Sequence, residues 1–382
     1  MRYLVRCSAS LCKTSLLTQG SDSAANANCS TFGSSVYSPA YKQAATYFNV
    51  SPTASLLGVT LYVLGLGLGP MIASPISENY GRQIVYTTSL PLCALFTLGA
   101  GFSKTFYSFL ICRFFAGTTG SPVLAVGGGT LADIFPPQFR ARATMCFLAA
   151  PFLGPSLGPF LGGFVTQYKG WRWTQWVTEF IIVLSFLFSL GMSETYKKII
   201  LQRRAKKLGL EPPKSNLPPG LAGFKVMMTV TLFRPISMLF QEPIVLFMSI
   251  YTAFAFAILF AYFPAFPLIF GGIYGFTVSQ VGLAFLGIAV GVITSAITAL
   301  IIDVKFYQPL FRKAMAKGNG VVAPEHRLYA AMIGSWGIPV GIFWLAWSSR
   351  TSVHWIVPII GSCFFAWGNL SIFVCFIPNE TD

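Results

Sequence analysis

The chain has 382 residues, of which 54% are hydrophobic and only 10% are charged. Because soluble domains carry about 25% charged residues, this composition excludes an ordinary soluble protein and predicts a membrane protein. The net charge of +15 would suit nucleic-acid binding or a membrane-topology signal, so the positions of the basic residues must decide between the two.

Residues 1–53 contain no stretch of about 18 apolar residues, so they predict no complete membrane span. The first stretch, MRYLVRCSASLCKTSLL, has a short apolar patch, and SDSAANANC further on is polar. Asn49 begins the sequence Asn-Val-Ser, which makes it a candidate glycosylation site in an outer loop.

Nine later segments of about 20 residues are long and apolar enough to cross a bilayer. They predict α-helices, because helices satisfy their own backbone in lipid and the segments lack the alternation of barrel strands. The segments are 54–73, 84–102, 108–131, 145–166, 173–192, 244–263, 281–302, 328–347 and 355–377.

Basic residues alternate between the connections that join these segments. Seventeen lysines and arginines fall in every second connection, at 78–83, 136–143, 194–234 and 303–327, and four fall in the others. Cytoplasmic loops carry such an excess, so these four connections are predicted to be cytoplasmic. The positive charge is then a topology signal, and nucleic acid is not an expected partner.

Cysteine and histidine patterns give no sign of a metal, a cofactor or an enzyme. The eight cysteines include no CxxC pair, and His326 and His354 are the only histidines. The glycines at 127–129 lack the Gly-Lys-Ser/Thr of a phosphate loop. No nucleophile and base occur in a recognisable arrangement, so we expect no catalytic activity.

The stretch GPSLGPFLGG at 154–163 places glycine and proline inside a predicted span. Gly154, Gly158 and Gly162 recur every four residues and share one helical face, which lets a neighbouring helix approach closely. Pro155 and Pro159 predict a bend. An ordinary close-packed helix pair would explain the glycines but not the paired prolines.

This stretch resembles the antiporter motif in the fifth helix of drug:proton antiporters of the major facilitator superfamily. Further stretches match that family in order, and the resemblance covers roughly residues 34–378, most closely fungal multidrug and polyamine exporters of the twelve-spanner branch. The matching stretches are SPISENYGRQ (74–83), ICRFFAGTTG (111–120), GWRWTQW (170–176), SETY (193–196), QEPIVLFMSIYTAF (241–254), PEHRL, HWIVP and FFAWGNLSIF.

The resemblance implies an all-α membrane protein with the major facilitator fold of two helical bundles. The nine segments become helices 2 to 10, STFGSSVYSPA at 31–41 becomes part of helix 1, and helices 11 and 12 are expected to be missing. The implied organisation is an atypical segment at 1–30, an N-terminal bundle at 31–193, a basic, proline-containing cytoplasmic linker at 194–241 and an incomplete C-terminal bundle at 242–382.

The resemblance also implies function. A relative of this kind exports hydrophobic or cationic small molecules, such as drugs, toxins and polyamines, in exchange for protons. The alternative is a truncated remnant or incomplete gene model that does not transport. The expected partners are the lipid bilayer, a small-molecule substrate and protons, without a cofactor. The chain is expected to be a monomer in the plasma membrane, or alternatively in the vacuolar membrane.

Single residues carry the expected chemistry. Arg113 lies inside a span, where a charge is costly unless it faces a wet cavity or a partner. By resemblance it couples proton movement to transport; alternatively it is a structural arginine bonded to backbone carbonyls.

Glu242 matches a family motif and could bind a proton, although a helix N-terminus also favours a carboxylate with no transport role. Glu179 lies inside another span and could also bind a proton.

Other expected site residues form groups. Charges at the cytoplasmic ends of spans are expected to latch that side closed, with solvated end charges as the alternative. Aromatic residues could line a pocket for flat or cationic drugs, although most such residues face lipid or interfacial belts. The cytoplasmic set is Glu78, Gly81, Arg82 and Asp133, the antiporter set is Gly154, Pro155, Gly158, Pro159, Gly162 and Gly163, and the aromatic set is Tyr251, Phe254, Phe256, Tyr262 and Trp367.

Overall fold

A computed structural model describes residues 9–135, 137–210, 229, 233, 236–316 and 329–373 of the protein. Within these ranges every regular element is helical. The proline-rich part of the predicted linker at 211–220, the PEHRL stretch at 324–328 and the C-terminal residues 374–382 lie outside the described residues.

The helices follow one another with short connections. The first ten are α1 Ala9–Ser35, α2 Tyr41–Phe48, α3 Pro52–Ser55, α4 Leu57–Tyr80, α5 Arg82–Phe102, α6 Phe106–Gly120, α7 Pro122–Ile134, α8 Pro137–Lys169, α9 Arg172–Leu190 and α10 Lys197–Lys207. The others are α11 Pro243–Phe266, α12 Val278–Ala284, α13 Leu286–Ile302, α14 Gln308–Ala316, α15 Tyr329–Gly334, α16 Gly337–Ser348 and α17 Ile356–Phe373.

Nine stretches of the described chain are long and apolar enough to cross a membrane, which confirms the nine predicted spans. Their bounds differ from the predicted ones by several residues, because helices continue past the apolar core into interfacial polar residues. The stretches are Pro52–Tyr80, Arg82–Phe102, Phe106–Ile134, Arg142–Lys169, Arg172–Leu190, Pro243–Ile273, Val278–Arg312, Tyr329–Ser348 and Ile356–Phe373.

The N-terminal region differs from the expectation. Helix α1 has 27 residues, which is about 40 Å at about 1.5 Å per residue, although its sequence is too polar to read as a span. The predicted part of helix 1 at 31–41 overlaps the end of α1, but the bounds differ: α1 ends at Ser35, and a 3₁₀ turn, Ser38–Ala40, leads into α2. Polar side chains of α1 are buried, including Ser23, Asn26 and Ser30.

Two compact units are built from separate parts of the chain. The first contains Met1–Ser30, Leu57–Ala143 and Gln175–Ile250, and the second contains Thr31–Leu56, Thr144–Thr174 and Tyr251–Asp382. The boundaries of these units do not follow those of the four segments predicted from sequence. The assignment of those segments as two bundles and a linker stays a prediction.

Glycines set the packing of α4 on α6 in the first unit. The sequence LGLGLG at 64–69 puts Gly65 and Gly69 on one face of α4. A Cβ on Gly65 would collide with the carbonyl oxygen of Phe114, and one on Gly69 would collide with Ser121. Close approach of this kind is how helices associate in membranes, where burying apolar surface gains little.

Candidate functional site

Arg113 lies on α6, and its side chain is buried within a candidate span, with 1% of the residue exposed. Its Nε donates a hydrogen bond to the carbonyl oxygen of Gly58 at 3.0 Å. The guanidinium carbon also lies 4.5 Å from the centroid of the Tyr62 ring. A cation over an aromatic face gains about 2 kcal/mol when both are desolvated, so these contacts offset part of the cost of burial.

The contact between Arg113 and Tyr62 depends on the small residues of α6. A Cβ on Gly117, one turn after Arg113, would collide with the carbonyl oxygen of Tyr62. The Tyr62 hydroxyl donates to the carbonyl oxygen of Ser30 at 3.1 Å, and the Ser30 hydroxyl donates to the carbonyl oxygen of Gly120 at 2.6 Å. Hydrogen bonds therefore join α1, α4 and α6 around the arginine.

At one end of the first unit, Arg82 and Asp133 form an ion pair, with Nε and Oδ2 3.4 Å apart. Arg82 also donates to the hydroxyl of Ser77 at 3.2 Å and lies over the Tyr196 ring at 5.2 Å. The sequence grouped Arg82 and Asp133 with Glu78, but Glu78 is exposed at the end of α4. The structure thus brings together two of the three predicted charges.

Glu194 belongs to this network and was missed by the sequence reasoning. One carboxylate oxygen accepts from the backbone N–H of Arg82 at 2.9 Å, and the other accepts from Gln83 at 3.4 Å. The same carboxylate accepts from the N–H groups of Thr195 and Tyr196 at 3.1 and 3.0 Å. A carboxylate at the start of α5 satisfies orphan donors and complements the helix dipole.

Two glycines make room for the network. Gly81 has φ of +107° and ψ of 162°, and a Cβ there would collide with the Glu194 carboxylate. A Cβ on Gly129 would lie 2.5 to 2.7 Å from the guanidinium of Arg82. The glycines at 127–129 therefore include one that accommodates Arg82, a role that the sequence did not suggest.

The glycine face of α8 packs on the end of α1 in the second unit. A Cβ on Gly154 would collide with Thr31, one on Gly158 with Ser35, and one on Gly162 with Val36. The hydroxyl of Ser35 also donates to the carbonyl oxygen of Gly154 at 3.0 Å. One row of small residues thus meets one neighbouring helix.

A second helix approaches another side of α8. A Cβ on Gly163 would lie 2.8 Å from the carbonyl oxygen of Val278, and one on Gly282 of α12 would lie 2.7 Å from that of Pro159. Helix α8 continues unbroken through Pro151, Pro155 and Pro159. The bend expected at these prolines and its part in transport stay predictions.

The five predicted aromatic residues are placed in different surroundings. Phe256 contacts Phe152 and Phe373, with ring centroids 5.7 and 4.8 Å apart. Tyr262 is buried against Phe266 and Phe365, at 5.3 and 4.8 Å.

The other three aromatic residues do not share these surroundings. Tyr251 and Phe254 are exposed on α11. Trp367 donates from its ring nitrogen to the hydroxyl of Thr298 at 3.2 Å. The structure thus distributes the five residues among different environments, and a common pocket stays a prediction.

Glu242 and Asn49 lie at helix ends. Glu242 is exposed and directly precedes α11, where a carboxylate suits the helix N-terminus. Asn49 is exposed, has φ of 53° and caps the C-terminus of α2. Ser51 of the same sequon accepts from the N–H of Ala54 at 3.1 Å and begins α3. Proton binding at Glu242 and glycosylation at Asn49 stay predictions.

These features define a multi-pass helical membrane protein whose spans pack through glycines and contain a buried arginine. The chain belongs to the Major Facilitator Superfamily, whose family model matches residues 24–379. The resemblance found in the sequence is thereby confirmed.

Relatives among characterised fungal proteins are transporters rather than enzymes. Polyamine transporter 4 of Saccharomyces cerevisiae is 39% identical over 367 residues, covering 90% of this chain and 55% of the yeast protein. MFS-type transporter traF of Penicillium crustosum is 41% identical over 347 residues, covering 90% of this chain and 70% of traF. Efflux pump FUBT of Fusarium oxysporum is 37% identical over 360 residues, covering 92% of this chain and 60% of FUBT. The chain thus spans little more than half the length of the yeast relative.

Solved structures share the fold. The proton:xylose symporter XylE bound to 6-bromo-6-deoxy-D-glucose has a TM-score of 0.64 at 15% identity and covers 94% of this chain and 81% of its own. The human organic anion transporter MFSD10 (TETRAN) has a TM-score of 0.54 at 14% identity, and the match covers 94% of this chain and 84% of the MFSD10 chain. At such identities the likeness concerns the fold alone.

Proposed function

We propose that the protein exports hydrophobic or cationic small molecules, including drugs, toxins and polyamines, in exchange for protons that move inward. The observation that carries the proposal is Arg113, a buried arginine inside a candidate span of a Major Facilitator Superfamily chain. The similarity to the yeast polyamine transporter and the Fusarium efflux pump supports the substrate class and the direction.

In the proposed mechanism, Arg113 keeps a fixed positive charge in the membrane interior. Its Nε is held by the carbonyl of Gly58 and its face by Tyr62, so the charge cannot leave the site by rotating its side chain freely. A fixed cation lowers the affinity of its surroundings for further cations. Because a proton and a cationic substrate are then disfavoured together, they would compete for nearby acceptors. Such competition couples their opposite movements. Glu242 is a proposed second proton-binding residue.

The charged network at Arg82 would act as the latch of the cytoplasmic side. Transporters of this fold alternate between states by rocking two bundles about a central site. The Arg82–Asp133 pair and the Glu194 cap hold α4, α5, α7 and the end of α9 together. We propose that this group moves as one body, with Gly81 and Glu78 at its edge, while α8 serves as the pivot.

The proposed cellular form is a monomer in the plasma membrane, with the vacuolar membrane as the other candidate. The aromatic residues Tyr251, Phe254, Phe256, Tyr262 and Trp367 are proposed to contact substrate. Helix lengths suit either membrane and do not distinguish them. The plasma membrane is proposed first because the proposed function is export.

The test is drug tolerance in a yeast strain that lacks its own pumps. Expression of the chain should raise tolerance to a hydrophobic cationic drug, and Arg113→Ala should abolish the gain. A matched control is Lys104→Ala, because Lys104 is exposed in a connection between spans. A fluorescent fusion must show equal amounts of each variant in the membrane. No gain in tolerance from correctly inserted wild type would contradict export and favour the non-transporting alternative.

A further inference from the structure

The turn between α8 and α9 brings basic and aromatic residues together where two candidate spans end. The spans Arg142–Lys169 and Arg172–Leu190 are separated only by Gly170 and Trp171. Gly170 has φ of +90°, which glycine adopts without a steric penalty and which ends α8. Because both spans stop at this turn, its side chains lie at the level of the lipid headgroups.

Arg172 is held against aromatic rings beside this turn. Its Nη2 atom donates a hydrogen bond to the hydroxyl of Tyr47 at 2.7 Å. Its guanidinium carbon lies 4.5 Å from the centroid of the Tyr47 ring and 5.2 Å from that of Trp171. Phe48 packs on Trp171, with ring centroids 5.2 Å apart. These contacts hold the charge in place, which reduces the entropy lost when the arginine binds a ligand.

Helix α2 lies over the same turn and adds a second positive charge. Gln43 donates from its side-chain nitrogen to the carbonyl oxygen of Thr166 at 3.2 Å. The N–H of Gly170 donates to that same carbonyl at 3.2 Å. Lys42 directly precedes Gln43 and is exposed, and its Nζ lies 5.9 Å from the centroid of the Tyr41 ring. The contact of Gln43 therefore brings Lys42 to the turn.

Lys169, the last residue of α8, supplies the third charge. It is exposed, and its Nζ lies 5.9 Å from the centroid of the Trp173 ring. Trp173 is 47% exposed and Tyr168 is 72% exposed, as expected of rings that lie among lipid headgroups. Within the part of the chain that the structure describes, Lys42 and Lys169 form no ion pair.

The charge of these two segments is entirely positive. Residues 38–56 and 164–176 contain Lys42, Lys169 and Arg172 but no aspartate or glutamate. The three residues lie on the side of the membrane predicted to be external, so the preference of basic loops for the cytoplasm does not explain them. Positive charge beside exposed aromatic rings fits a ligand with an anionic head and an apolar tail.

We propose that Lys42, Lys169 and Arg172 bind the headgroup phosphate of an anionic phospholipid. A guanidinium can donate to two phosphate oxygens at once, and each lysine adds a compact charge. The acyl chains lie along the exposed rings of Tyr168 and Trp173. This site does not depend on the proposed function, because it involves no transported substrate.

Lipid binding to the full chain in a neutral detergent tests the site. Dioctanoyl phosphatidylglycerol should raise the midpoint of thermal unfolding of the wild type, and dioctanoyl phosphatidylcholine, which has no net charge, should raise it much less. The double variant Lys42→Gln/Lys169→Gln should bind phosphatidylglycerol about tenfold more weakly or worse, since two charges near the lipid surface are lost. Both lysines are exposed, so the fold should be retained.

The double variant Lys104→Gln/Arg350→Gln is the matched control. It removes the same charge from two other connections on the same side, and both residues are exposed. Its affinity for phosphatidylglycerol should equal that of the wild type. Equal weakening in the two double variants would overturn the proposal, because it would show a response to net charge alone. Phosphatidylcholine binding as tight as phosphatidylglycerol binding would overturn it too.

Substitutions of Arg172 and a free anion complete the test. Arg172→Lys keeps the charge and should bind phosphatidylglycerol more tightly than Arg172→Gln does. Equal affinities of these two variants would remove Arg172 from the site. Inorganic phosphate at the same concentration should leave the midpoint of the wild type unchanged. A shift equal to that of phosphatidylglycerol would assign the site to a free anion and overturn the lipid proposal.

Discussion

Gly81 combines two demands that only glycine meets. Its φ of +107° with ψ of 162° lies in a region nearly closed to other residues. A Cβ would also strike the Glu194 carboxylate, which accepts hydrogen bonds from the start of α5. The residue therefore fixes both the direction of the chain between α4 and α5 and the position of the carboxylate.

We expect Gly81→Ala to lower the stability of the detergent-purified protein by about 1–3 kcal/mol, because alanine must either strain its backbone or displace Glu194. The measurement is the midpoint of thermal unfolding followed by gel filtration with fluorescence detection. Gly67→Ala is the control, since a Cβ there meets nothing within 4 Å. Equal midpoints for the two variants would contradict this account of Gly81.

At the scale of single residues, the sequence predicted groups that lie close to each other in the chain or match a motif. Gly81 and Arg82 lie in the SPISENYGRQ stretch, and Asp133 was grouped with them because it lies at the end of a predicted span on the same side; the structure pairs Arg82 with Asp133. Glu194 was missed because it lies 112 residues from Arg82 and bonds to backbone N–H groups, which no side-chain pattern reveals. The sequence pointed to Glu194 only through the SETY stretch, which matched the family but did not indicate that Glu194 contacts Arg82.

Helix α8 shows how a row of small residues determines packing at the scale of an element. Gly154, Gly158 and Gly162 each face a residue of the Thr31–Val36 region with no room for a side chain. The periodicity of these glycines predicted a close neighbour but could not identify it. The neighbour is α1, whose polar sequence concealed it from a search for apolar spans.

The polar composition of α1 explains why a search for apolar spans did not predict this helix. Hydropathy measures the preference of each residue for lipid, and α1 instead places serine and asparagine inside the protein. Its polar groups bond to carbonyls, as Ser30 does with Gly120. A helix that faces protein on its polar side does not need the apolar composition of a span exposed to lipid. The nine candidate spans were found because their high hydropathy is a local property of the sequence.

We expect Gly158→Leu to disrupt the packing of α1 on α8, since its first side-chain atom already collides with Ser35 and lies 2.8 Å from the nitrogen of Val36. Overpacking of this kind costs about 1–3 kcal/mol. Thermal unfolding of purified protein measures the loss. Gly128→Leu on α7 provides the comparison, because a Cβ there meets nothing within 4 Å. A smaller loss for Gly158→Leu than for Gly128→Leu would contradict this packing role.

For the whole molecule, the distribution of charge predicts orientation. The chain carries 26 lysines and arginines against 11 acidic residues, and seventeen of the basic residues lie in the connections that alternate with nearly uncharged ones. Helix α10 alone has Lys197, Lys198, Arg203, Arg204, Lys206 and Lys207, all exposed. Because basic loops prefer the cytoplasm, we expect these connections to lie on the cytoplasmic side of the membrane.

Protease access can test that orientation independently of transport and of the final cellular location. A specific protease cleavage site inserted after Gly209, which is exposed and has free space around it, should be cut in sealed microsomes whose cytoplasmic face points outward. The same site inserted between Val50 and Ser51 should resist cleavage until detergent opens the vesicles. Both sites should be cut equally in detergent, which controls for steric access.

Cleavage of the Val50 site and protection of the Gly209 site in sealed vesicles would place the basic connections on the opposite side. In that case the Arg82–Asp133–Glu194 network would lie away from the cytoplasm and could not latch the cytoplasmic side.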